Sequence, residues 1–428
     1  MFIMTLLPAG VKLGLAFALI LLLNRVKLHL GACLLLGAAA LGFMMELPPE
    51  KVLLGIVYGI IEPQSLSLVV IVAVILVLSR LMGDAGQLDR IVSSFSSVVH
   101  SVKLTTVVMP ALIGLLPMPG GALFSAPMVE TAGKDANLKP EMKTAINYWF
   151  RHLWEYWWPM YPGVVLAVSL LGLEAWRFML VQFPLTLVSL ASGIFFLIRP
   201  LSLPKTGHPE NPVPAGHWGD FLREVRPILA IVLAIPLVGL INLVPGANLP
   251  PLTSVFLGLG LCLVWVVRIN RIPPRQIFRA AFNRSVPPMI LLIIGIMAFK
   301  ALLVESQAVS ALQAEMARYG IPPLLVIMLM PMLTGFITGI AVGFVGASFP
   351  LVVPLIAGKT GFDFLSHASL AYAFGYMGMM LSPVHLCLLV SKDYYQASLL
   401  KSYRHLLGPA ATVLAVVLVL FGITRLFY

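Results

Sequence analysis

Hydrophobic positions along this chain fall in runs of about 20 residues, separated by short polar segments. A run of that length is enough to cross a hydrocarbon core about 30 Å thick as an α-helix. Ten such runs predict transmembrane helices, at about 8–24, 28–45, 66–82, 142–168, 175–199, 227–245, 250–267, 286–304, 366–391 and 403–426. The pattern predicts an all-α polytopic membrane protein, with the first run retained as a span rather than removed as a signal peptide.

Two further apolar stretches, about 104–133 and 321–357, are interrupted near their middle. Helix-breaking residues divide the first stretch: Pro117, Pro119, Gly120 and Gly121. The second is interrupted around Thr338, Gly339 and Gly343. Arms of about 13 residues are too short to cross the membrane, so the stretches predict re-entrant hairpins. Irregular backbone at membrane depth is tolerated only beside protein or a water-filled cavity, so the breaks indicate a polar interior.

The two hairpins belong to an internal repeat. MPALIG at Met109–Gly114 is similar to MPMLTG at Met330–Gly335, 221 residues later. A proline also breaks the span after each hairpin, at Pro159 and at Pro383, 224 residues apart. Each half then makes five crossings, an odd number, so the second half enters the membrane from the opposite side. Inverted repeats of this kind build secondary transporters.

The repeat predicts four regions and one linker. They are 1–103, first-half scaffold helices and arm; 104–199, first-half transport region with hairpin 104–133 and broken span 142–168; 200–226, cytoplasmic linker; 227–320, second-half scaffold helices and arm; and 321–428, second-half transport region with hairpin 321–357 and broken span 366–391.

Composition and charge set the environment and the orientation. Only 11% of the residues are charged and 60% are hydrophobic, whereas soluble domains carry about 25% charge. If the N-terminus is outside, 20 of the 28 Lys and Arg residues lie on one face, which the positive-inside bias makes cytoplasmic. Both termini then lie on the outer side of the cell membrane. In a cell with two membranes, the protein is expected in the inner membrane with both termini in the periplasm. The net charge of +11 is accounted for by this topology and by anionic lipids, so no nucleic-acid partner is expected.

The hairpin tips and the proline breaks form the candidate substrate site. Half-helix N-termini present unpaired N–H groups and a partial positive charge, which suits a carboxylate, while unwound carbonyls near Gly120 and Gly339 offer ligands for Na⁺. The predicted substrate contacts are Pro119, Gly120, Gly121, Ser125, Thr338, Gly339, Ser348, Trp158, Tyr161, Ser382 and His385. Two alternatives stay open: glycines that only permit close helix packing, and hydroxyls that satisfy their own helix backbone.

Ionisable residues inside a span are functional candidates by default. The candidates for a coupling ion or proton are Arg151, His152, Glu155, Pro159 and Pro383, the prolines because each frees a backbone carbonyl. Arg151 and Glu155 are four residues apart and are predicted to share a helix face. The alternative for Arg151 and Glu155 is an internal ion pair between them. His385 is a further titratable candidate, and its alternative is to be a hydrogen-bonded histidine that only packs in the interior.

The hairpin, the proline-broken span and the segment LSPVHLCL (Leu381–Leu388) resemble an uncharacterised integral membrane family, domain of unknown function 401. More distantly, the whole chain resembles the ion transporter superfamily, with its divalent-anion/sodium symporters, gluconate permeases and arsenite or sodium/proton carriers. That resemblance implies a dimerising scaffold domain and a transport domain that moves as an elevator. Symporters of the superfamily carry Ser-Asn-Thr at the hairpin tips, where this chain has Pro119-Gly120-Gly121 and Thr338-Gly339-Ile340.

The expected function is secondary active transport of a small organic anion, a carboxylate or sugar acid, coupled to Na⁺ or H⁺ by elevator-type alternating access. The alternatives are a carrier of an inorganic oxyanion, an ion/proton antiporter or an anion channel. No cofactor other than possible Na⁺ is expected, since the three cysteines show no metal-binding spacing. An enzyme is not expected, because the sequence has no H-E-x-x-H zinc helix and no Ser/His or paired-Asp protease pattern.

Overall fold

The structure, a computed structural model, describes residues 7–99, 101–118, 121–133, 138–201, 217–242, 244, 246–247 and 249–427. Every regular element within these ranges is helical. Pro119 and Gly120, both predicted substrate contacts, lie outside the described residues, as does 202–216 of the predicted linker.

Ten helices make up the first half of the described chain. They are α1 (Ala9–Arg25), α2 (Leu30–Met44), α3 (Pro49–Ile61), α4 (Pro63–Asp84), α5 (Gln87–Ser96), α6 (Val102–Ile113), α7 (Ala122–Gly133), α8 (Pro140–Arg151), α9 (Pro162–Leu171) and α10 (Ala175–Gly193), which continues to Ile198 as a π-helical turn.

Ten helices follow in the second half, again counting the described residues only. They are α11 (Trp218–Ile241), α12 (Thr253–Ile269), α13 (Pro274–Ala281), α14 (Val286–Glu305), α15 (Ala308–Tyr319), α16 (Pro323–Thr338), α17 (Ala341–Ile356), α18 (Gly361–Met380), α19 (Leu386–Tyr394) and α20 (Leu399–Phe427). The order of the first half recurs: two helices, a short helix, a long helix, an arm, two hairpin helices, two pieces of a broken span and a final helix. The repeat in element order is therefore present, while opposite insertion of the halves stays a prediction.

Five helices in the described part of the chain are long and apolar enough to span a membrane by length and composition. They are α4, α10 with its π-helical turn, α11, α14 and α20. Six shorter apolar helices accompany them, among them α2 and α12. The chain is accordingly a multi-pass membrane protein, as its composition predicts.

The spans predicted at 28–45 and 250–267 form helices of only 15 and 17 residues. At 1.5 Å per residue these are about 22 and 26 Å long, less than a 30 Å core. The ends of α2 are set by turns, in which Lys27 and Glu46 adopt positive φ angles of 68° and 65°. Leu28, His29 and Met45, which the hydrophobic pattern assigns to the span, lie between these turn residues and the helix.

The two halves interlock rather than lie side by side. Helix α2 packs along α14, and α9 packs along α17. At the first crossing the backbones touch: a Cβ atom at Gly31 would lie 2.4 Å from the Leu291 carbonyl oxygen, and one at Gly295 would lie 2.3 Å from the Gly31 carbonyl oxygen. Glycine is required on both helices at this crossing.

Each hairpin is a pair of short helices packed against each other. Helices α6 and α7 have 12 residues each and are joined through 114–121, whereas α16 and α17 have 16 residues each and are joined by Gly339 and Ile340 alone. At about 18 and 24 Å, all four helices are shorter than a hydrocarbon core.

Ion pairs between distant parts of the chain join residues that the sequence predicts on one face. Arg90 on α5 pairs with Glu224 on α11 at 3.0 Å, on the face predicted to be cytoplasmic. Lys51 pairs with Glu305 at 3.4 Å on the opposite face. These contacts agree with the predicted grouping of loops, and which face meets the cytoplasm stays a prediction.

Candidate functional site

Four breaks in helices meet at one buried place in the protein. Within the described residues they are 114–118 with Gly121 in the first hairpin, 152–161 between α8 and α9, 339–340 in the second hairpin, and 381–385 between α18 and α19. The two broken spans touch through His152 and His385, whose Nε2 atoms lie 3.1 Å apart. Each hairpin break lies against the break of the span that follows it in the chain.

The first hairpin is held by aromatic donors from the 152–161 break. Trp154 donates its indole N–H to the Ala111 carbonyl at 2.7 Å, and Trp158 donates to the Leu115 carbonyl at 2.9 Å. The Tyr161 hydroxyl donates to the Gly114 carbonyl at 2.6 Å. The last carbonyls of a helix lack partners within it, so these three donors satisfy the end of α6. Trp158 and Tyr161, both predicted substrate contacts, thus hold the hairpin in this structure, and their contact with a substrate stays a prediction.

The buried guanidinium of Arg151 ties the first hairpin to the second half. Arg151 is 2% exposed. It donates from Nη2 to the Met118 carbonyl at 3.0 Å and from Nη1 to Cys387 Sγ at 3.3 Å. A Cβ atom at Gly121 would lie 2.3 Å from Nη2, so a larger residue there would displace the guanidinium. Gly121 therefore lies beside Arg151, and its predicted contact with a substrate stays a prediction.

The predicted shared helix face of Arg151 and Glu155 is wrong. Helix α8 ends at Arg151, so the four-residue spacing that places side chains together on a helix no longer applies. No carboxylate oxygen among the described residues lies within 4 Å of the Arg151 guanidinium. Glu155 instead places Oε1 3.7 Å from Nε2 of His152.

Three potential metal ligands lie together beside Arg151. Nitrogen atoms of His152 and His385 and the sulfur of Cys387 are all within 4.8 Å of one another, and all three residues are buried. Nδ1 of His152 lies 2.6 Å from the Tyr148 carbonyl oxygen, so Nδ1 carries the proton and Nε2 presents its lone pair to His385. The Tyr148 ring packs against both imidazole rings, with centroids 4.7 and 5.1 Å away.

Tyrosines of α18 complete the junction between the broken spans. Tyr372 donates to the Glu155 carbonyl at 2.8 Å, and Tyr376 donates to the His152 carbonyl. Tyr148 in turn donates to the Met380 carbonyl at 3.0 Å, at the end of α18. The unwound backbone of each span is therefore capped by hydroxyl groups of the other half.

The second hairpin turns at Gly339, which lies against the 381–385 break. Gly339 has φ +65°, a conformation that favours glycine after a helix C-terminus. A Cβ atom there would lie 3.0 Å from both the His385 backbone nitrogen and the Ser382 hydroxyl oxygen. The structure thus brings Gly339, Ser382 and His385 together, while Pro383 between them is exposed.

The predicted hydroxyl ligands donate within their own helices. Ser125 donates to Ala122 at 3.4 Å. Thr338 donates to the Thr334 carbonyl at 2.7 Å, and Ser348 donates to the Phe344 carbonyl at 2.6 Å. These hydrogen bonds match the alternative of backbone satisfaction. Pro159 is buried within the 152–161 break.

A polar cavity reaches the first hairpin break, and we call it the vestibule. Its volume is about 330 Å³ and its lining includes Ser79, Arg80, Asp84, Asp89, Pro117 and Met118. The Ser79 hydroxyl donates to the Pro117 carbonyl at 3.3 Å, beside the mouth of the cavity. The vestibule therefore lies next to the carbonyl that Arg151 binds.

Sequence reasoning missed Asn147 and Cys387 as members of the site. Asn147 donates to the Ala122 carbonyl at 3.0 Å and to the Ser391 hydroxyl at 2.9 Å, which joins α7, α8 and α19. The available signals were a polar residue four positions before Arg151 and the His-x-Cys pattern within LSPVHLCL. Neither signal shows that residues more than 230 positions apart in the chain are in contact.

The model of the family described as protein of unknown function (DUF401) matches residues 10–424. The chain therefore belongs to this family. No curated protein matches the sequence.

Proposed function

We propose that this member of the DUF401 family is a secondary active transporter of a small organic anion, a carboxylate or sugar acid. Transport is coupled to Na⁺ or H⁺ and uses elevator-type alternating access, as in the ion transporter superfamily that the chain resembles. The moving part is α6–α10 with α16–α20, and the scaffold is α1–α5 with α11–α15, which forms a homodimer.

One observation carries the anion specificity: Arg151 is a buried cation with no carboxylate within 4 Å among the described residues. Its Nη atoms contact a carbonyl oxygen and a sulfur, and its Nε has no hydrogen-bond partner in the described part of the protein. A buried charge without a close counter-ion is costly. Glu155 acts on Arg151 only from beyond 4 Å. An anion that enters the site supplies the direct partner that no described carboxylate provides, and the planar guanidinium suits a carboxylate.

The vestibule supports an access route to this residue. It adjoins Met118, whose carbonyl accepts from Arg151, so an anion that takes the place of this carbonyl binds the guanidinium from the vestibule side. The vestibule lining carries Arg80, paired with Asp84 at 2.9 Å, and Asp89, so the attraction of an anion rests on Arg151 rather than on the lining. Under the predicted topology this route opens to the cytoplasm, so the described conformation is the inward-facing one.

Thermal unfolding of the purified full-length protein in detergent tests the proposal. Carboxylates, sugar acids and inorganic oxyanions are screened with and without Na⁺, since a ligand that binds the folded state raises its melting temperature. We expect one organic acid to stabilise the wild type and the control variant Arg177→Gln, whose arginine is surface-exposed, but not Arg151→Gln.

The organic acid found in this way is then loaded into proteoliposomes. Saturable counterflow that depends on a Na⁺ or proton gradient is the expected result. Absence of stabilisation by any anion, or equal stabilisation of a folded Arg151→Gln variant, contradicts the proposal. Electrical currents of single-channel size would identify an anion channel instead.

A further inference from the structure

We propose that His152, His385 and Cys387 form a binding site for a transition-metal cation of borderline softness, with Zn²⁺ as the type case. The site bridges the two halves of the protein, because His152 follows α8 while His385 and Cys387 lie at the start of α19. The inference concerns the protein itself and does not depend on which solute it transports.

The separation of the donor atoms suits such an ion. Zn²⁺ lies about 2.0–2.1 Å from histidine nitrogen and about 2.3 Å from cysteine sulfur, so tetrahedral ligand atoms are roughly 3.3–3.6 Å apart. The two Nε2 atoms are 3.1 Å apart, and the sulfur lies within 4.8 Å of the nitrogen atoms. Movements of about 1 Å bring all three donors to bonding distance.

The surroundings of His152 are those of a metal ligand. Metal-binding histidines usually donate their second ring N–H to a backbone carbonyl or carboxylate, which fixes the ring and aims the other nitrogen at the ion. The Tyr148 carbonyl provides this acceptor at 2.6 Å from Nδ1. The lone pair on Nε2 of His152 therefore points into the cluster before any ion arrives.

His385 can adopt the matching form. In the described arrangement its Nε2 donates to Nε2 of His152, while Nδ1 is buried and has no hydrogen-bond partner among the described atoms. A shift of the ring proton to Nδ1 frees Nε2 for a metal and sacrifices only the bond between the histidines. That bond is replaced by two bonds to the ion.

The Arg151 guanidinium donates to the Cys387 sulfur at 3.3 Å and opposes a nearby cation, so the ligand set must supply negative charge. Binding releases the thiol proton of Cys387 to solvent, and the resulting thiolate offsets part of the metal charge. Glu155 Oε1, 3.7 Å from Nε2 of His152, is the nearest candidate for a fourth ligand. Pro383 and Val384, immediately before His385, are exposed, so the cluster lies just beneath an accessible stretch of backbone.

The ligand set selects the kind of ion. Two imidazoles and a thiolate prefer Zn²⁺, Co²⁺ or copper, whereas Mg²⁺ and Ca²⁺ require oxygen ligands. A bound ion would cross-link the two broken spans at their point of contact. The site would therefore hold the two halves together at the place where the four breaks meet.

Titration of the purified full-length protein with Co²⁺ tests the inference directly. We expect one Co²⁺ per chain, intense near-ultraviolet absorption from thiolate-to-metal charge transfer and visible bands of tetrahedral Co²⁺, all removed by Zn²⁺. Cys387→Ser should abolish the charge-transfer band and weaken binding by about 100-fold or more, since even outer-shell changes cost about 10–100-fold. His152→Ala and His385→Ala should weaken binding similarly.

Matched controls separate this site from adventitious binding. Cys33→Ser/Cys262→Ser leaves Cys387 as the only cysteine of the chain's three, so it should keep the full spectrum. If Cys387→Ser fails to fold, this double-serine variant still tests whether Cys387 binds the metal. His367→Ala alters a buried histidine beside Asp363 and should change neither the Co²⁺ affinity nor the spectrum. A spectrum without thiolate charge transfer in the double-serine variant, or one retained by folded Cys387→Ser, overturns the inference.

Discussion

Gly121 lies directly beneath the guanidinium of Arg151, so close that a methyl group at residue 121 would lie 2.3 Å from Nη2. The contact joins the first hairpin break to the end of α8. It also explains the need for glycine at this point, because Arg151 holds the Met118 carbonyl three residues before Gly121.

Gly121→Val should displace the Arg151 side chain and weaken binding of the stabilising anion at least about tenfold, which corresponds to about 1.4 kcal/mol. The control is Gly83→Ala at the vestibule, where an added Cβ meets only Met118 Sδ at 3.9 Å. Ligand-induced shifts in melting temperature compare the two variants. Wild-type binding by a folded Gly121→Val protein would contradict the role of Arg151.

Gly339→Ala should stop counterflow while the protein remains folded, because it strains the turn and presses on the 381–385 break. The left-handed backbone costs a non-glycine residue roughly 1–2 kcal/mol. Gly320→Ala is the matched control, since Gly320 has φ +64° but no atom within 4 Å of an added Cβ. Both variants bear the same backbone strain, so a loss of transport confined to Gly339→Ala is due to the contact with Ser382 and His385. Equal counterflow by the Gly339→Ala and Gly320→Ala variants would mean that Gly339 is not part of the substrate site.

Tyr161→Phe should lower the free energy of unfolding by about 1–3 kcal/mol, the cost of leaving a buried acceptor unsatisfied. The variant keeps the ring and removes only the hydroxyl that donates to the Gly114 carbonyl. Unfolding by denaturant in detergent measures the change. Tyr58→Phe, at a residue 61% exposed, should have no effect. Equal stability of both variants would mean that the Tyr161 hydroxyl does not hold the hairpin.

The predicted topology can be tested with single cysteines introduced into a variant that lacks Cys33, Cys262 and Cys387. Arg318→Cys on α15 should react with a membrane-impermeant maleimide in intact cells, whereas Arg275→Cys on α13 should react only after lysis. Both positions are exposed, so a difference in labelling reports the side of the membrane. The reverse pattern would invert the orientation that the positive-inside bias predicts.

The sequence predicts the order of helices well because membrane spans depend on local hydrophobicity. The pairing of MPALIG with MPMLTG locates both hairpins, and three of the four described breaks fall at proline or glycine, whereas the break after α8 begins at His152, seven residues before Pro159. The prediction for Arg151 and Glu155 failed for a local reason: it assumed a continuous helix, and α8 ends between them. The contact of His152 with His385 was not predictable, since nothing in either segment encodes the packing of α8 on α19.

The crossing of α2 and α14 at Gly31 and Gly295 has a mechanical consequence. A slip by one helical turn, about 5.4 Å, would place Leu291 or Phe299 where Gly295 now meets the Gly31 backbone. Neither side chain fits there, so α2 and α14 cannot slide past each other and move as one rigid pair. If the protein works by the proposed alternating access, its rearrangements take place in the remaining helices while α2 and α14 keep a fixed register.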